Sequence, residues 1–299
     1  KTKLFIYSAD EDADPFAEET IKQANPAFGD FQNANEVMDQ AERAKRMPSA
    51  EMAYRNLILN QRVEADGAFI SRGVWEANAG EPDDLANMPV YCGLDLSATT
   101  DLTAFVMVGV RDGLFHVRST FWLPELGLME KARHDRVPYD VWKDDGHLST
   151  TPGKAVEYEY VADVMVDIMD DYDIRGVAFD EWNMKHFRPW LQHAGITSEQ
   201  EELFKPFRQG IKTMSPALLQ LETALINERV RHAGQPVLTM CAANAVVKSD
   251  PAGNRKLAKM ASNRRIDGMV ALAMAVAIAS DDDEQGGPSV YQGRGLLVM

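Results

Sequence analysis

The sequence predicts an α/β domain, a mixed β-sheet with helices packed on it. Three observations carry that reading. Residues 90–122 hold three apolar runs in quick succession, at 90–96, 103–110 and 114–122. The last two are joined by Arg111-Asp112-Gly113, and an Asp-Gly step is a strong hairpin signal. Downstream, helical and strand-like patterns alternate, as they do when helices cross over a sheet.

In chain order, KLFIYSA (3–9) reads as a short strand and 18–24 as a helical turn. Asn25-Pro26 stops that turn, since the residue before a proline avoids the α region. Residues 35–46 and 49–59 read as two short helices, the second with Ser49 as its N-cap. Residues 61–89 contain Gly67, Gly73, Gly80, Pro82 and Pro89 with acidic filler, which is linker chemistry. After the three strands, an irregular segment at 123–153 leads to an amphipathic helix at 156–172. Its apolar positions Val156, Tyr160, Val161, Val164, Met165, Ile168 and Met169 recur at helical spacing. A strand at 175–180, a helix at 183–194, a strand near 203–208 and a helix at 216–229 follow. A strand at 236–247 and a long helix at 260–279 complete the expected domain, 90–280. The remainder, 281–299, is an acidic, glycine-rich tail with the composition of a flexible end.

Composition narrows the function classes. The 299 residues suffice for one large domain and a smaller one, and the apolar and charged fractions, 45% and 26%, are those of an ordinary globular protein. No apolar run approaches the roughly 18 residues of a membrane span. The opening KTKLFIYSADEDADPF turns acidic at once and lacks an initiator Met, so it is read as part of a longer protein without a secretory leader. Cys92 and Cys241 sit in apolar, strand-like surroundings with no CxxC partner and read as buried free thiols. The six histidines show no zinc-binding spacing, and GxSxG and GxxxxGK[ST] are both absent. Neither a serine hydrolase nor ATP hydrolysis by this chain alone is therefore expected.

The net charge of −15 argues against a general nucleic-acid coat. It is compatible with an enzyme that meets DNA locally and brings cations with it. Lys248, Arg255, Lys256, Lys259, Arg264 and Arg265 make a basic stretch just before Asp267, readable as a solvated loop or as a phosphate contact. Trp182 and Trp190 read as core residues rather than as base-stacking platforms.

Three carboxylates stand where a sheet core is expected. Asp95 ends the first strand, Asp180 ends RGVAFD, and Asp267 opens the apolar stretch IDGMVALAMAVAIA. On a helix, positions 271, 274 and 278 lie within about 40° of position 267, so Asp267 shares the sheet-facing side. Each alone has a simpler reading: a strand-end hydrogen bond for Asp95 and Asp180, an N-cap for Asp267. Together they would repel, raise each other's pKa values and attract divalent cations. Hard oxygen ligands without histidine or thiolate favour Mg²⁺ or Mn²⁺. Two such ions about 4 Å apart could hold the attacking water and the leaving oxygen of a phosphodiester. Asp101 is either a turn residue between strands or a supporting carboxylate of the same cluster.

YCGLDLSATTDLTA, GVAFDEWN, HAGQPVLTMCAANAVVKSDPAGN and RRIDGMVALAMAVA, in that order, resemble the large terminase subunits of tailed bacteriophages, which package double-stranded DNA. QANPAFGDF with AYRNLILNQ also resembles that family's motor-to-nuclease connection. The resemblance implies an RNase H-like fold with central strand order 3-2-1-4-5. It also implies a two-metal endonuclease with Asp95, Asp180 and Asp267 as metal ligands. Lys256, Lys259, Arg264 and Arg265 become phosphate contacts, residues 1–60 the end of an ATPase motor, and 61–89 the linker. Double-stranded DNA, a portal and a small terminase subunit are the implied partners, in the host cytoplasm. Two other readings stand beside it: another RNase H-like enzyme of resolvase or transposase type, and a non-catalytic assembly module.

Overall fold

The computed structural model describes residues 3, 5–10, 13–46, 54–61, 67–97, 101–250, 252–259 and 264–286. The chain divides into two units, residues 1–66 and 67–299.

The first unit holds α1 (Glu18–Ala24), α2 (Ala34–Arg46) and, after them, a helical turn at 54–57. Ile21, Ala24, Val37, Ala41 and Leu59 form its small core. As expected, α1 stops before Pro26; there the Asn25 side chain donates to the Ile21 and Ile58 carbonyls at 2.9 and 2.6 Å. The strand expected at 3–9 does not form among the described residues. Phe5, Ile6 and Tyr7 are exposed, and an apolar run with no partner strand gains no ladder. Ser49 lies outside the described residues.

The second unit is built on a seven-stranded mixed sheet. Its strands are β1 (Val90–Asp95), β2 (Thr103–Arg111), β3 (Leu114–Pro124), β4 (Ser149–Thr151), β5 (Ile174–Phe179), β6 (Phe204–Pro206) and β7 (Val230–Arg231). The order is β4-β3-β2-β1-β5-β6, with β7 also beside β3. The expected core order 3-2-1-4-5 is therefore present, extended by the short strands β4 and β7. β1, β2 and β3 are antiparallel neighbours, while β5 runs parallel to β1. The β2–β3 turn places Asp112 and Gly113 at φ 52° and 75°, the left-handed pair that a two-residue hairpin needs. A second hairpin joins β8 (Ala245–Ser249) to β9 (Arg255–Lys259).

Helices cover both faces. The short α3 (Arg72–Ala77), α4 (Leu128–Asp135) and α5 (Tyr139–Asp144) precede α6 (Tyr158–Asp171) and α7 (Glu181–His193). The short α8 (Ser198–Glu201) leads to α9 (Ile211–Ile226), α10 (Pro236–Asn244) and α11 (Asp267–Gly286). Strand alternation divides the core. Val90, Cys92, Leu94 and Phe179 face α6 and α7, whereas Tyr91, Ala104, Val106 and Ala178 face α9, α10 and α11. Among the described residues no helix is long and apolar enough to cross a membrane.

Several elements differ from expectation. The run at 236–247 is α10 followed by β8, not one strand. Pro236 opens the helix, Gln235 Oε1 accepts from the Leu238 amide at 2.7 Å, and Val237, Leu238, Cys241 and Ala242 form one buried helical face. Cys241 thus lies in a helix, and both cysteines are buried free thiols. In α6 the buried stripe is Val161, Ala162, Met165, Val166 and Met169, leaving Tyr160 and Val164 on its solvent side. The segment 123–153 is not irregular throughout, since it holds α4, α5 and β4. Residues 67–89 carry α3 and pack into the second unit: Phe69 bonds the Ala245 carbonyl, and Trp75 is buried. Neither tryptophan of α7 is core, because the buried stripe there is Met184, Phe187 and Leu191; Trp182 is 76% exposed and Trp190 38%.

Candidate active site

The acidic cluster follows from register and from one glycine. Tyr91, Gly93 and Asp95 alternate onto the α11 side of β1, as Gly176 and Ala178 do on β5. Leu94 pairs with Phe179, so the next residues, Asp95 and Asp180, end two adjacent parallel strands at the same sheet edge. Asp180 also starts α7, its Oδ1 accepting from the Trp182 amide at 3.2 Å.

Asp267 reaches that edge from above. α11 packs across β1, β2 and β5. A Cβ on Gly93 would stand 1.9 Å from the Ala271 carbonyl oxygen, so glycine is what lets helix and strand approach so closely. Gly93 lies two residues before Asp95 on its strand face, and Ala271 one turn after Asp267 on its helix face. The tight contact therefore brings the start of α11 over the end of β1. Asp267 is the first residue of α11, and its Oδ2 is buried without a hydrogen-bond partner.

Electrostatics tie the three together. Burial pushes the Asp95 carboxyl up to about 8, helped by Asp267 and Asp180 and opposed by the Gln209 amide and Lys259. Burial, with Asp101, pushes Asp267 up to about 6 against the pull of Lys259 and Arg265. Asp101 lies in a cation network, with Lys259 Nζ at 2.9 Å and Arg265 Nη1 at 2.7 Å. Burial works against its charge, but these two cations hold it below the usual carboxylate range. Arg265 continues the network to the buried Asp135 at 3.2 Å.

The four expected phosphate contacts are divided by this network. Lys259 and Arg265 are paired with Asp101, Lys256 is exposed on β9, and Arg264 is half-buried. Arg255 pairs with Glu222 at 2.7 Å. Two participants were not read from the sequence. Gln209 donates to Asp95 Oδ1 at 3.3 Å, and Asp135 anchors Arg265. Gln209 follows β6, whose C-terminal end lies at the same sheet edge; that is the signal the sequence offered. Nothing local marks Asp135.

Among the described residues, no group of three or more acidic, histidine or cysteine side chains is arranged to hold a metal ion. The donor set nonetheless fits hard divalent cations. It is all oxygen, includes an unpartnered buried carboxylate oxygen, and holds two carboxyls whose charge the fold disfavours.

The strand order, the helices on both faces and the carboxylates at the ends of the two central parallel strands define an RNase H-like nuclease-type domain. A family model described as "Terminase large subunit, endonuclease domain" matches residues 3–283, and the chain belongs to that family. It is 47% identical over 284 residues to the terminase large subunit of Enterobacteria phage HK97, covering 94% of this chain and 55% of that protein. The crystal structure of the HK97 large terminase aligns with a TM-score of 0.66 at 46% identity, covering 91% of this chain and 56% of that one. Protein YmfN of Escherichia coli (strain K12) is 24% identical over 298 residues, covering 92% of this chain and 62% of that protein. The chain spans a little over half the length of these curated relatives.

Proposed function

We propose that this chain is a metal-dependent endonuclease that cuts double-stranded DNA during phage genome packaging. The observation that carries the proposal is the buried, unpartnered Asp267 oxygen, brought by the Gly93 contact to the edge where Asp95 and Asp180 end adjacent strands. Asp95, Asp180 and Asp267 would hold two divalent ions, Mg²⁺ or Mn²⁺. When bound, such ions supply positive charge to the attacking and departing oxygens of a phosphodiester. The Gln209 amide orients Asp95, and the Lys259–Asp101–Arg265 network fixes the approach to Asp267.

Of the four expected phosphate contacts, Lys256, exposed on β9, and the half-buried Arg264 are the ones placed to meet DNA phosphates beside the cut, giving affinity without sequence reading, while Lys259 and Arg265 are held by Asp101. DNA affinity should therefore fall steeply with salt, and Lys256→Ala should reduce the slope of log K against log salt by about one. Fluorescence anisotropy across a salt series measures this, and a near-flat wild-type slope would sink the phosphate-contact assignment.

Residues 1–60 are the end of an ATPase motor; of the expected connection at 61–89, the part from Gly67 belongs to the second unit, and the expected tail at 281–299 begins only after α11 ends at Gly286. DNA, a portal and a small subunit are the partners, in the host cytoplasm. The test of the activity is conversion of supercoiled plasmid to nicked and linear forms with Mg²⁺, Mn²⁺ or EDTA. Cutting that requires the divalent ion is the expected result. A folded chain that binds Mn²⁺ but does not cut would mean that hydrolysis needs the motor part. A folded chain that binds no Mn²⁺ would overturn the proposal in favour of an assembly module.

A further inference from the structure

The basic stretch before Asp267 lies on only one side of the acidic edge. On the other side, immediately after Asp180, stands Trp182, 76% exposed at the start of α7. An indole this open has no packing role on its own helix, since the buried stripe runs along Met184, Phe187 and Leu191. Trp182, Lys185, His186 and Pro189 recur at helical spacing and are all exposed, forming one outward face. Lys185 Nζ lies 5.5 Å from the Trp182 ring centroid. Beside them is a hollow of about 250 Å³ lined by Phe179, Glu181, Met184, Lys185, Arg188 and Pro206. Arg188 is paired with Glu201 at 2.9 Å, and Arg208 only loosely with Glu181 at 3.9 Å. Glu201 and Glu181 thus offset Arg188 and Arg208, and Lys185, beside the indole, is the cation this face offers a phosphate.

We propose, resting on the nuclease reading above, that the Trp182–Lys185 face of α7 is a second DNA contact across the acids from the β8–β9 hairpin. The indole packs on a deoxyribose or an opened base of the strand leaving Asp180, while Lys185 meets the adjoining phosphate. An open indole with Lys185 beside it, two residues from Asp180 where the nuclease reading places the scissile strand, selects DNA as the occupant. An aromatic platform beside a cation is how backbone and bases are held without sequence reading. The cut strand is then gripped from both layers of the domain, with Asp95, Asp180 and Asp267 between the grips.

The test measures binding of a fluorescein-labelled duplex by anisotropy in Ca²⁺, and plasmid cutting in Mn²⁺. Trp182→Ala should weaken duplex binding about five- to tenfold and raise KM in step, with kcat held within about threefold. Trp182→Phe, which keeps a ring, should restore most of the affinity, and Lys185→Ala should weaken binding and lower the salt slope. Because the side chain is exposed, circular dichroism should show every variant folded. Undiminished binding by Trp182→Ala, with a wild type that binds and cuts, overturns this contact and leaves the nuclease reading standing. A wild type that binds no duplex overturns both.

Discussion

Asp267→Asn should abolish plasmid cutting, by at least about a hundredfold, and should make the metal-free protein more stable at pH 8. The first effect follows from removing one of three proposed metal ligands, because metal charge contributes several kcal/mol at the transition state. The second follows from linkage. Asp95 and Asp267 have folded-state pKa values raised to about 8 and about 6, above the carboxylate reference of 3.8. A raised pKa means that the folded state holds the proton more tightly than the unfolded chain does. The associated stability is complete below pH 3.8, declines as pH rises through 6 and 8, and is absent above that.

Wild type in EDTA should therefore lose melting temperature between pH 5 and pH 8. The Asn variant escapes the share due to Asp267, on the order of 1–3 kcal/mol. Mn²⁺ should raise the wild-type melting temperature at pH 8 and hardly move the variant, since it binds the assembled acids of the folded state. Thermal melts at both pH values, with and without Mn²⁺, decide the matter. An Asn variant that melts lower than wild type at pH 8 would show that Asp267 is a structural cap. Asp101 acts in another window: its pKa is lowered, so its contribution is lost as pH falls below the carboxylate range.

How much of this was legible depended on whether the determining contact was local. The β2–β3 hairpin is written in Asp112-Gly113, and the register of Asp95 against Asp180 follows from alternation along two buried strands. Asp267 was recognisable because 267, 271 and 274 share a helix face, and that face does meet the sheet. α10 was missed because PVLTMCAANAVV is apolar nearly throughout, so strand and helix periods fit it equally. The capping by Gln235 and the proline at the first turn were the deciding local signals. Trp182 was misplaced for a different reason: apolar size argues for burial, but the helix phase is set by Met184, Phe187 and Leu191. Gln209, Asp135 and the pairing of Lys259 and Arg265 with Asp101 are contacts between distant segments, which local pattern does not encode.

Gly93→Ala should be the most damaging single-methyl change in the domain. The added Cβ would stand 1.9 Å from the Ala271 oxygen and 2.7 Å from its carbonyl carbon, and both are backbone atoms of a buried helix that no rotamer change can move. Relief requires lifting α11 from β1, which opens the packing of Ala271, Leu272, Met274 and Ala275 against the sheet. Overpacking of this kind costs about 1–3 kcal/mol or more. The same lift carries Asp267 away from Asp95, so cutting should fall far more than stability does. Gly176→Ala is the internal control. Gly176 lies on β5 under the same helix, but its added Cβ would meet only the flexible ends of Ile278 and Lys205, at 3.4 Å. That variant should stay within about 1 kcal/mol of wild type and keep cutting, since peripheral changes that neighbours can absorb are cheap. Denaturant midpoints and plasmid assays on the two variants separate the effects. If Gly93→Ala folds and cuts like Gly176→Ala, the close approach of helix and strand is not what assembles the acids.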